Sequence, residues 1–215
     1  MKNMQRIFAI GDIHGCYEKL CALMDKIPFN KEQDQLLFIG DYIDRGPGTI
    51  KVLDYLIDLK KRLPGILFLK GNHEDMLQNY LDGNDRFTYL LNSGQQTLDA
   101  YLNKQEASED YPVPSAHLEF LSALRLYYQT EDYIFVHAGM RDKVPLESQA
   151  ETDLLWIRDE FIYSDYDFGK RVVFGHTPFK EPLVRTNKIG IDTGAVYGNR
   201  LTCVQLPEMK FYSAP

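Results

Sequence analysis

Short apolar runs that end at glycine recur along the chain and predict buried strands. The segment Arg6–Gly11 reads RIFAIG, Gln35–Ile39 reads QLLFI, and Ile66–Leu69 is a third run of the same kind. Each run is short, continuous and apolar, which is typical of a strand inside a sheet rather than at its surface. The pattern therefore predicts three buried strands in the first third of the chain.

Amphipathic helices follow the first two of these strands. The segment Tyr17–Ile27 places apolar residues on one face and stops at Pro28, and Thr49–Leu63 does the same before Pro64 and Gly65. A repeated order of strand, loop and helix predicts an α/β core. In such sheets the loops at the carboxyl ends of the strands carry the functional site.

The middle of the chain has a different pattern. The segment Glu74–Leu126 is polar-rich and helical, with an interruption near Glu106–Pro114, and we expect it to form a helical cap inserted at about residues 74–126 of a single domain spanning 1–215. Its apolar face comprises Leu118, Leu121, Leu124 and Leu126. Strands return at Tyr133–Val136, Arg171–Phe174, Lys188–Ile191 and Leu201–Leu206, which predicts a second sheet.

Composition narrows the class of protein. The 215 residues are 44% hydrophobic and 26% charged, with a formal net charge of −7. Nonspecific nucleic-acid binding requires a basic surface, so no nucleic-acid partner is expected. No apolar run approaches the roughly 18 residues of a membrane span, and the three cysteines form no paired framework. We therefore expect a cytoplasmic protein with no membrane partner, and the oligomeric state stays open, with a monomer compatible.

Four of the five histidines lie in short motifs bounded by glycine, and His117 alone stands outside them. The motifs are GDIHG (Gly11–Gly15), GDYIDRG (Gly40–Gly46), GNHE (Gly71–Glu74), HAG (His137–Gly139) and GHT (Gly175–Thr177). Each follows an apolar run, so we expect the side chains to converge where strands end. Converging His, Asp and Asn side chains are how proteins bind hard or borderline divalent metals.

The first two motifs offer carboxylates and an arginine. Asp12 and His14 are two residues apart at a strand end, so both can face one cation, although a turn capped by the aspartate is the simpler alternative. Asp41 can bridge two metals through its two oxygens. Arg45 offers a planar fork for phosphate oxygens, unless it forms only a surface ion pair with Asp44.

The other motifs supply neutral ligands. Asn72 can bind a hard metal through its carbonyl oxygen or cap the helix that follows, and His73 can be a ligand or a proton donor. His137 and His176 each follow an apolar strand. One such histidine would more often be a core residue, but four at strand ends indicate a metal site.

A charge count indicates the kind of substrate. Two divalent cations bring four positive charges, Asp12 and Asp41 return two negative charges, and the amide and imidazole ligands are neutral. The site is therefore positive inside an acidic protein, and it would attract a phosphate dianion. Paired metals also acidify a bound water and stabilise the attacking and leaving oxygens.

In this order the five motifs resemble those of the phosphoprotein phosphatase family of binuclear metallophosphoesterases. The compact length is most similar to its bacterial and phage branch, which includes the lambda-type serine/threonine protein phosphatase. The resemblance extends from Gly11 to about Gly198. It implies the metallophosphatase sandwich, in which two mixed β-sheets pack together with helices outside.

The resemblance also implies roles for matching residues. One metal would be held by Asp12, His14 and Asp41, and the other by Asp41, Asn72, His137 and His176. His73, oriented by Asp44, would be the general acid. Arg45 would bind phosphate, and Arg158 resembles a second phosphate-binding arginine, with an exposed helical arginine as the alternative. Asp192, in IDTGAVYG, is similar to a supporting residue, although such a turn needs no function.

The implied cofactor is a pair of divalent metal ions, with Mn²⁺ favoured and Fe or Zn as alternatives. Hydrolysis would follow in-line attack by a hydroxide that bridges the metals, without a phosphoenzyme. The leading prediction is a serine/threonine protein phosphatase, with dual specificity open, acting on a phosphoprotein or phosphopeptide.

Two other functions remain in competition. A symmetrical diadenosine tetraphosphate hydrolase would share all five motifs and the segment Ser93–Leu102 (SGQQTLDAYL), but such enzymes tend to be longer. A noncatalytic phosphate-binding module would have lost a ligand, and none is lost. Substrate-reading residues are expected in the cap and in Arg141–Thr152. Tyr80, Tyr89 and Tyr101 could stack on an adenine or belong to the core.

Overall fold

Two five-stranded sheets with helices outside them form the protein, as a computed structural model that describes residues 5–103 and 113–215 shows. Strands β1 to β10 span Ile7–Ile10, Gln35–Phe38, Leu67–Phe68, Tyr127–Gln129, Tyr133–Val136, Arg171–Phe174, Leu183–Val184, Lys188–Gly190, Leu201–Leu206 and Lys210–Ala214. Helices α1 to α8 span Tyr17–Lys26, Thr49–Arg62, Asn72–Leu81, Arg86–Leu91, Gly94–Asn103, Ser115–Ser122, Glu151–Trp156 and Asp159–Ile162. Two 3-10 turns cover Leu146–Ser148 and Ala195–Tyr197.

Both sheets are mixed, as predicted, but the expectation that Leu201–Leu206 belongs to the second sheet is wrong, because this strand pairs with β1 in the first sheet. The first has the order β10-β9-β1-β2-β3, with β1, β2 and β3 parallel and β9 and β10 antiparallel. The second has the order β4-β5-β6-β8-β7, with β5, β6 and β8 parallel and both edge strands antiparallel. The predicted α/β class with two packed mixed sheets is therefore confirmed.

The alternation of side chains along the strands explains the layers. In β1, Ile7 and Ala9 face the interior between the sheets, where they share a buried cluster with Val173 and Ile189 of the second sheet. The intervening Phe8 and Ile10 face the other way, into a cluster with residues of α1 and α2. Both faces of the central strands are thus covered, which is why they read as continuous apolar runs.

The helices between β3 and β4 pack on the outer face of the first sheet. Tyr89, Leu98 and Phe120 belong to the same buried cluster as Phe38 of β2. The predicted interruption at Glu106–Pro114 lies largely outside the described residues. The prediction that helix continues to Leu126 is wrong, because α6 ends at Ser122 and the chain then pairs with β3 through a bridge between Leu69 and Arg125.

Three strands of the described chain were not predicted from the sequence. β4, β7 and β10 lie at sheet edges and carry no continuous apolar run. They exist because a neighbouring strand offers a ladder, as in the pairing of Tyr128 with Phe135 and of Tyr212 with Cys203. Such strands are set by tertiary pairing more than by local composition.

The parallel strands of both sheets direct their carboxyl ends to one region of the molecule, and the motif loops are joined there. The Ile13 and His14 amides both donate to the Asp41 carbonyl, at 3.0 and 2.8 Å, and the Gly175 amide donates to the His137 carbonyl at 2.8 Å. These bonds link loops from distant parts of the chain. Within the described ranges, no helix is long and apolar enough to cross a membrane.

Candidate metal centre and active site

Asp41 lies at the centre of the site with one carboxylate oxygen toward each of two histidines. Its Oδ2 is 3.2 Å from Nε2 of His14, and its Oδ1 is 3.4 Å from Nε2 of His137. It belongs to two buried groups whose ligand atoms lie within 4.8 Å of one another, one with His14 and His73 and one with His137 and His176. This is the arrangement required of a carboxylate that bridges two cations.

Backbone carbonyls determine which nitrogen of two imidazoles faces the site. Nδ1 of His14 is 2.8 Å from the Ile43 carbonyl, and Nδ1 of His137 is 3.0 Å from the Ile39 carbonyl. A carbonyl only accepts, so each Nδ1 carries the proton and donates it. In the neutral form of each ring, Nε2 then presents its lone pair to Asp41, the tautomer that metal-binding histidines commonly use.

Asn72 completes the second group. Its Oδ1 lies 3.0 Å from Nε2 of His137 and 3.0 Å from Nδ1 of His176. Burial lowers the pKa of His137, and burial with the neighbouring His137 lowers that of His176 to about 2, so both rings are neutral. Oδ1 of Asn72 and the deprotonated Nε2 of His137 are then two acceptors that face each other. A cation between them satisfies both, and the donor set suits a divalent metal.

Asp12 lies beside these two groups. Its Oδ2 accepts the His176 amide at 2.9 Å, while Oδ1 is buried with no hydrogen-bond partner among the described residues. Burial raises its pKa well above the usual value, and the charges of Asp192 and Asp41 add to this. A carboxylate oxygen held in such a place fits a cation, which agrees with the ligand role the resemblance implies.

His73 and Asp44 form a buried pair in which neither side chain is exposed. Nδ1 of His73 is 2.7 Å from Oδ2 of Asp44. The other oxygen of Asp44 accepts from the hydroxyls of Tyr89, at 2.9 Å, and Thr97, at 2.6 Å. These contacts occupy Nδ1 of His73 and leave Nε2 buried with no hydrogen-bond partner among the described residues, while the ring centroids of His73 and His14 are 4.6 Å apart. That nitrogen can donate a proton or bind a metal, so both alternatives from the sequence remain.

Glu74 has a role that sequence reasoning missed. Its carboxylate accepts the backbone N–H groups of Asp41 at 2.9 Å, Tyr42 at 2.8 Å and Gly71 at 2.9 Å. Burial raises the pKa of Glu74 to about 8, but these donors oppose that rise, and every close partner is a donor, so we describe it as a carboxylate. It joins the GDYIDRG and GNHE loops. The capping-box spacing from Gly71 to Glu74 is the signal that could have revealed it.

The simpler alternatives for two motifs are not what the structure shows. Asn72 does not cap α3, because Gly71 is the N-cap and Asn72 is the first helical residue. Asp44 and Arg45 do not face each other, because Asp44 contacts His73 whereas Nη1 of Arg45 is 2.6 Å from Nε2 of His14. Both residues therefore turn toward the site.

Arg158 approaches the GHT loop from the segment between α7 and α8. It immediately precedes α8, and its Nη1 donates to the His176 carbonyl and to Oγ1 of Thr177, both at 3.1 Å. The residue is solvent-exposed. Arg45 and Arg158 thus contact the candidate ligand residues His14 and His176 from two different loops, which suits two groups that bind one phosphate.

The backbone of the motif loops is unusual. Eight non-glycine residues in the described chain have positive φ, and five of them are His14, Asp41, Asp44, Arg45 and His176. Left-handed backbone is costly for such residues and concentrates at functional sites. Close packing also requires glycine at position 71, where a Cβ would lie 2.1 Å from Oδ1 of Asp41.

Four other residues considered in the sequence analysis make structural contacts. His117 contacts the Tyr101 hydroxyl at 2.7 Å and Asp54 at 2.9 Å, outside the site. Tyr89 and Tyr101 are buried in the core, so adenine stacking is wrong for both. Asp192 accepts the Gly194 amide at 2.8 Å, which supports the simple turn.

Comparison with known proteins gives the family. Residues 5–201 match the calcineurin-like phosphoesterase family. The asymmetrical bis(5'-nucleosyl)-tetraphosphatase PrpE of Bacillus subtilis (strain 168) is 31% identical over 230 residues, covering 96% of this chain and 93% of that protein.

Solved structures show the same fold. A putative diadenosine tetraphosphatase has a TM-score of 0.75 at 24% identity and covers 100% of this chain and 96% of its own. A cold-active protein tyrosine phosphatase has a TM-score of 0.73 at 18% identity, covering 98% and 76%. The match over nearly the whole sequence, together with the buried Asp41-centred ligand groups, means that this chain belongs to the calcineurin-like phosphoesterase family and is a metallophosphoesterase.

Proposed function

We propose that this protein hydrolyses bis(5'-nucleosyl) tetraphosphates. The observation that carries the proposal is the 31% identity to a named tetraphosphatase across 96% of this chain and 93% of the relative. The length argument from the sequence was made against symmetrical enzymes, and it does not apply to this asymmetrical relative, 93% of which the match covers. The alternative reading from the sequence is therefore favoured over the protein phosphatase.

The charge of the site supports a polyphosphate substrate. The whole chain is acidic, with a formal net charge of −7, so a tetraphosphate must be attracted by a local positive site. Arg45 and Arg158 supply part of that charge from two loops. The ligand set would hold two divalent cations, and these supply charge neutralisation and an activated water when bound.

We further propose the residues that act on the scissile phosphate. Arg45 and Arg158 orient it through their guanidinium groups. Nε2 of His73 holds the proton that the leaving oxygen receives, and Asp44 fixes the ring through Nδ1. Tyr89 and Thr97 keep Asp44 in place by donating to its other oxygen. Each of these groups belongs to the chain itself and lies at or beside the metal ligands.

Cleavage is expected to be asymmetrical. The tetraphosphatase relatives carry that word in their names, whereas the tetraphosphatase alternative considered from the sequence was a symmetrical enzyme. Asymmetrical cleavage of the four-phosphate chain gives a nucleoside monophosphate and a nucleoside triphosphate. Symmetrical cleavage gives two nucleoside diphosphates, so the products distinguish the two reactions.

Protein phosphatase activity remains the second candidate because of the His73–Asp44 pair. A buried, carboxylate-oriented imidazole is most useful when the leaving group is a poor one, such as a serine alkoxide. A nucleotide leaving group needs less protonation. The pair therefore suits phosphoserine at least as well as a tetraphosphate.

A side-by-side assay tests the proposal. The protein, supplied with Mn²⁺, is given diadenosine tetraphosphate or a phosphoserine peptide, and kcat/KM is measured for each. We expect a kcat/KM at least tenfold higher for the tetraphosphate, AMP and ATP as products on anion exchange, and loss of activity with EDTA.

Other outcomes have defined meanings. ADP as the sole nucleotide product would show that cleavage is symmetrical. Hydrolysis of the peptide with no hydrolysis of the tetraphosphate would overturn the proposed function in favour of the protein phosphatase. Full activity after exhaustive metal removal would contradict the metal-dependent site itself.

A further inference from the structure

An exposed tyrosine lies at the rim of the site and has no role in the chemistry described so far. Tyr197 is 63% exposed and ends the 3-10 turn Ala195–Tyr197, in the IDTGAVYG segment. Most of its large apolar ring is in water, although the turn that carries it follows buried residues. Exposed aromatic rings beside a phosphate site are suited to stack on planar groups of a ligand.

The backbone around Tyr197 is held in place. Gly194 and Gly198 flank the turn with φ of 69° and 86°, and the Gly194 amide donates to Oδ1 of Asp192 at 2.8 Å. At the base of the turn, Oγ1 of Thr193 donates to the Arg200 carbonyl at 2.6 Å. The ring is therefore presented by a fixed turn, which reduces the entropy that a ligand must remove on binding.

Arg45 connects this ring to the metal ligands. The Cζ atom of Arg45 is 5.7 Å from the centroid of the Tyr197 ring, in cation–π range. The same guanidinium places Nη1 2.6 Å from Nε2 of His14. One guanidinium group thus spans the interval between a metal ligand and the tyrosine, so a phosphate on Arg45 would lie next to the ring.

We propose that Tyr197 binds one nucleobase of the substrate by stacking. The inference rests on the proposed function, because only a nucleotide substrate places a planar base near the phosphate chain. Stacking is tolerant of sequence, since every base has a π-face. Tyr197 would therefore give preference for nucleoside polyphosphates over bare polyphosphates without selecting one base strongly.

A cavity that Arg45 helps to line is the competing location for the base. Its volume is about 460 Å³, and Arg45, Pro47, Gln96 and Asp99 are among the residues that line it. This volume is in the range of small-molecule pockets, but none of its lining residues is aromatic. The tyrosine is favoured because it offers an exposed aromatic ring in cation–π range of Arg45.

The test measures competition and does not require the tetraphosphate to be hydrolysed. Diadenosine tetraphosphate and inorganic tripolyphosphate are each titrated as competitors of p-nitrophenyl phosphate hydrolysis, giving two apparent Ki values. In Tyr197→Ala, we expect the preference for the dinucleotide over tripolyphosphate to fall by about 10- to 100-fold. Tyr197→Trp, which keeps a stacking ring, should retain the wild-type preference within about threefold.

Two control variants separate stacking from general effects. Tyr163→Ala removes a comparably exposed tyrosine, at 71%, that makes no hydrogen bond or ring contact with the metal-ligand residues in the described chain, and it should leave the preference unchanged. Gln96→Ala alters the cavity that Arg45 and Gln96 line, and it should also leave the preference unchanged. The melting temperature of each variant reports whether it is folded.

The outcomes are distinct from those of the proposed function. A preference that survives in folded Tyr197→Ala, or that is lost in Gln96→Ala instead, would overturn the stacking role. Loss of the preference in Tyr197→Ala supports it, even if the wild-type protein cleaves only phosphopeptides. In that case the nucleotide would be a bound ligand, and the proposed hydrolysis alone would have failed.

Discussion

At the scale of single residues, the site depends on which atom each side chain presents. His14 and His137 use Nδ1 for a backbone carbonyl and keep Nε2 for the site, whereas His73 uses Nδ1 for Asp44. The histidines of the site therefore fall into two groups according to whether Nδ1 contacts a backbone carbonyl or a carboxylate. A carbonyl fixes a neutral ligand, while a carboxylate can also stabilise a charged ring that donates a proton.

The role of His73 is testable by replacement with asparagine. If it is the acid, His73→Asn should lower kcat/KM for a phosphoserine peptide by about 10²- to 10⁴-fold, because the alkoxide needs a proton. The loss for p-nitrophenyl phosphate should be under about tenfold, since that leaving group needs little protonation. Metal content is measured in parallel by elemental analysis and should stay at the wild-type value.

The matched control is His117→Asn, which removes a buried histidine outside the site. It should not alter the ratio of the two activities. Equal losses of both activities in His73→Asn, together with reduced metal content, would assign His73 to the metal group with His14 and Asp41 instead.

At the scale of elements, the start of α3 is where two loops are locked together. Gly71 is the N-cap, its amide donates to Glu74, and the space at its α-carbon is occupied by Asp41. The Asp41 carboxylate therefore occupies the space that a side chain at the N-cap of α3 would need. A side chain at this position would push on both the loop and the ligand.

Gly71→Ala should destabilise the protein and the metal site together. The added Cβ would lie 2.4 Å from the Asp41 backbone nitrogen, which cannot swing away as a side chain can. We expect a loss of about 1–3 kcal/mol in the free energy of unfolding by urea titration, with reduced metal content.

Gly65→Ala provides the matched control for this change. Gly65 is exposed, and a Cβ there would meet no atom within 4 Å. Its effect should stay within about 1 kcal/mol. A loss as small in Gly71→Ala would show that the two loops can separate without cost.

At the scale of the whole molecule, buried phenols link stability to pH. Burial raises the pKa of Tyr42, Tyr89 and Tyr101 above the usual value of 10.0. Each hydroxyl has a fixed partner, such as Leu69 for Tyr42. Above pH 10 the unfolded chain releases these protons while the folded chain retains them. The stability they contribute is therefore present below pH 10 and is lost as the pH rises further.

We expect the free energy of unfolding to fall with pH in this alkaline range, by up to about 1.4 kcal/mol per pH unit for each phenol. Lys188 acts in the opposite direction, because burial lowers its pKa to about 8 from 10.5, so the slope is read above pH 10.5. Urea titrations between pH 10.5 and 11.5 should show a shallower slope for Tyr101→Phe. Tyr163→Phe, at an exposed position, should keep the wild-type slope, and identical slopes for all three proteins would contradict the argument.

Much of the architecture was predictable because local pattern and tertiary burial agree for the central strands. The runs at Ile7–Ile10, Gln35–Phe38 and Arg171–Phe174 are apolar since both faces are covered. The edge strand Tyr127–Gln129 carries no such signal, and it forms only because Tyr133–Val136 lies alongside it. The helix was predicted to continue to Leu126 for the same reason, because the bridge between Leu69 and Arg125 is a tertiary contact with no signal in the local sequence.

The sequence by itself determined the chemistry available: motif glycines, the ligand residue types and their positions after apolar strands follow from local pattern. Only the tertiary structure decided which atoms meet, because contacts such as Nε2 of His137 with Asp41, or Glu74 with the Asp41 amide, join loops distant along the chain. It also placed Tyr89 and Tyr101 in the core and Tyr197 beside Arg45. Helical spacing and composition are the same for a buried and an exposed ring, and the difference arises from what packs against it.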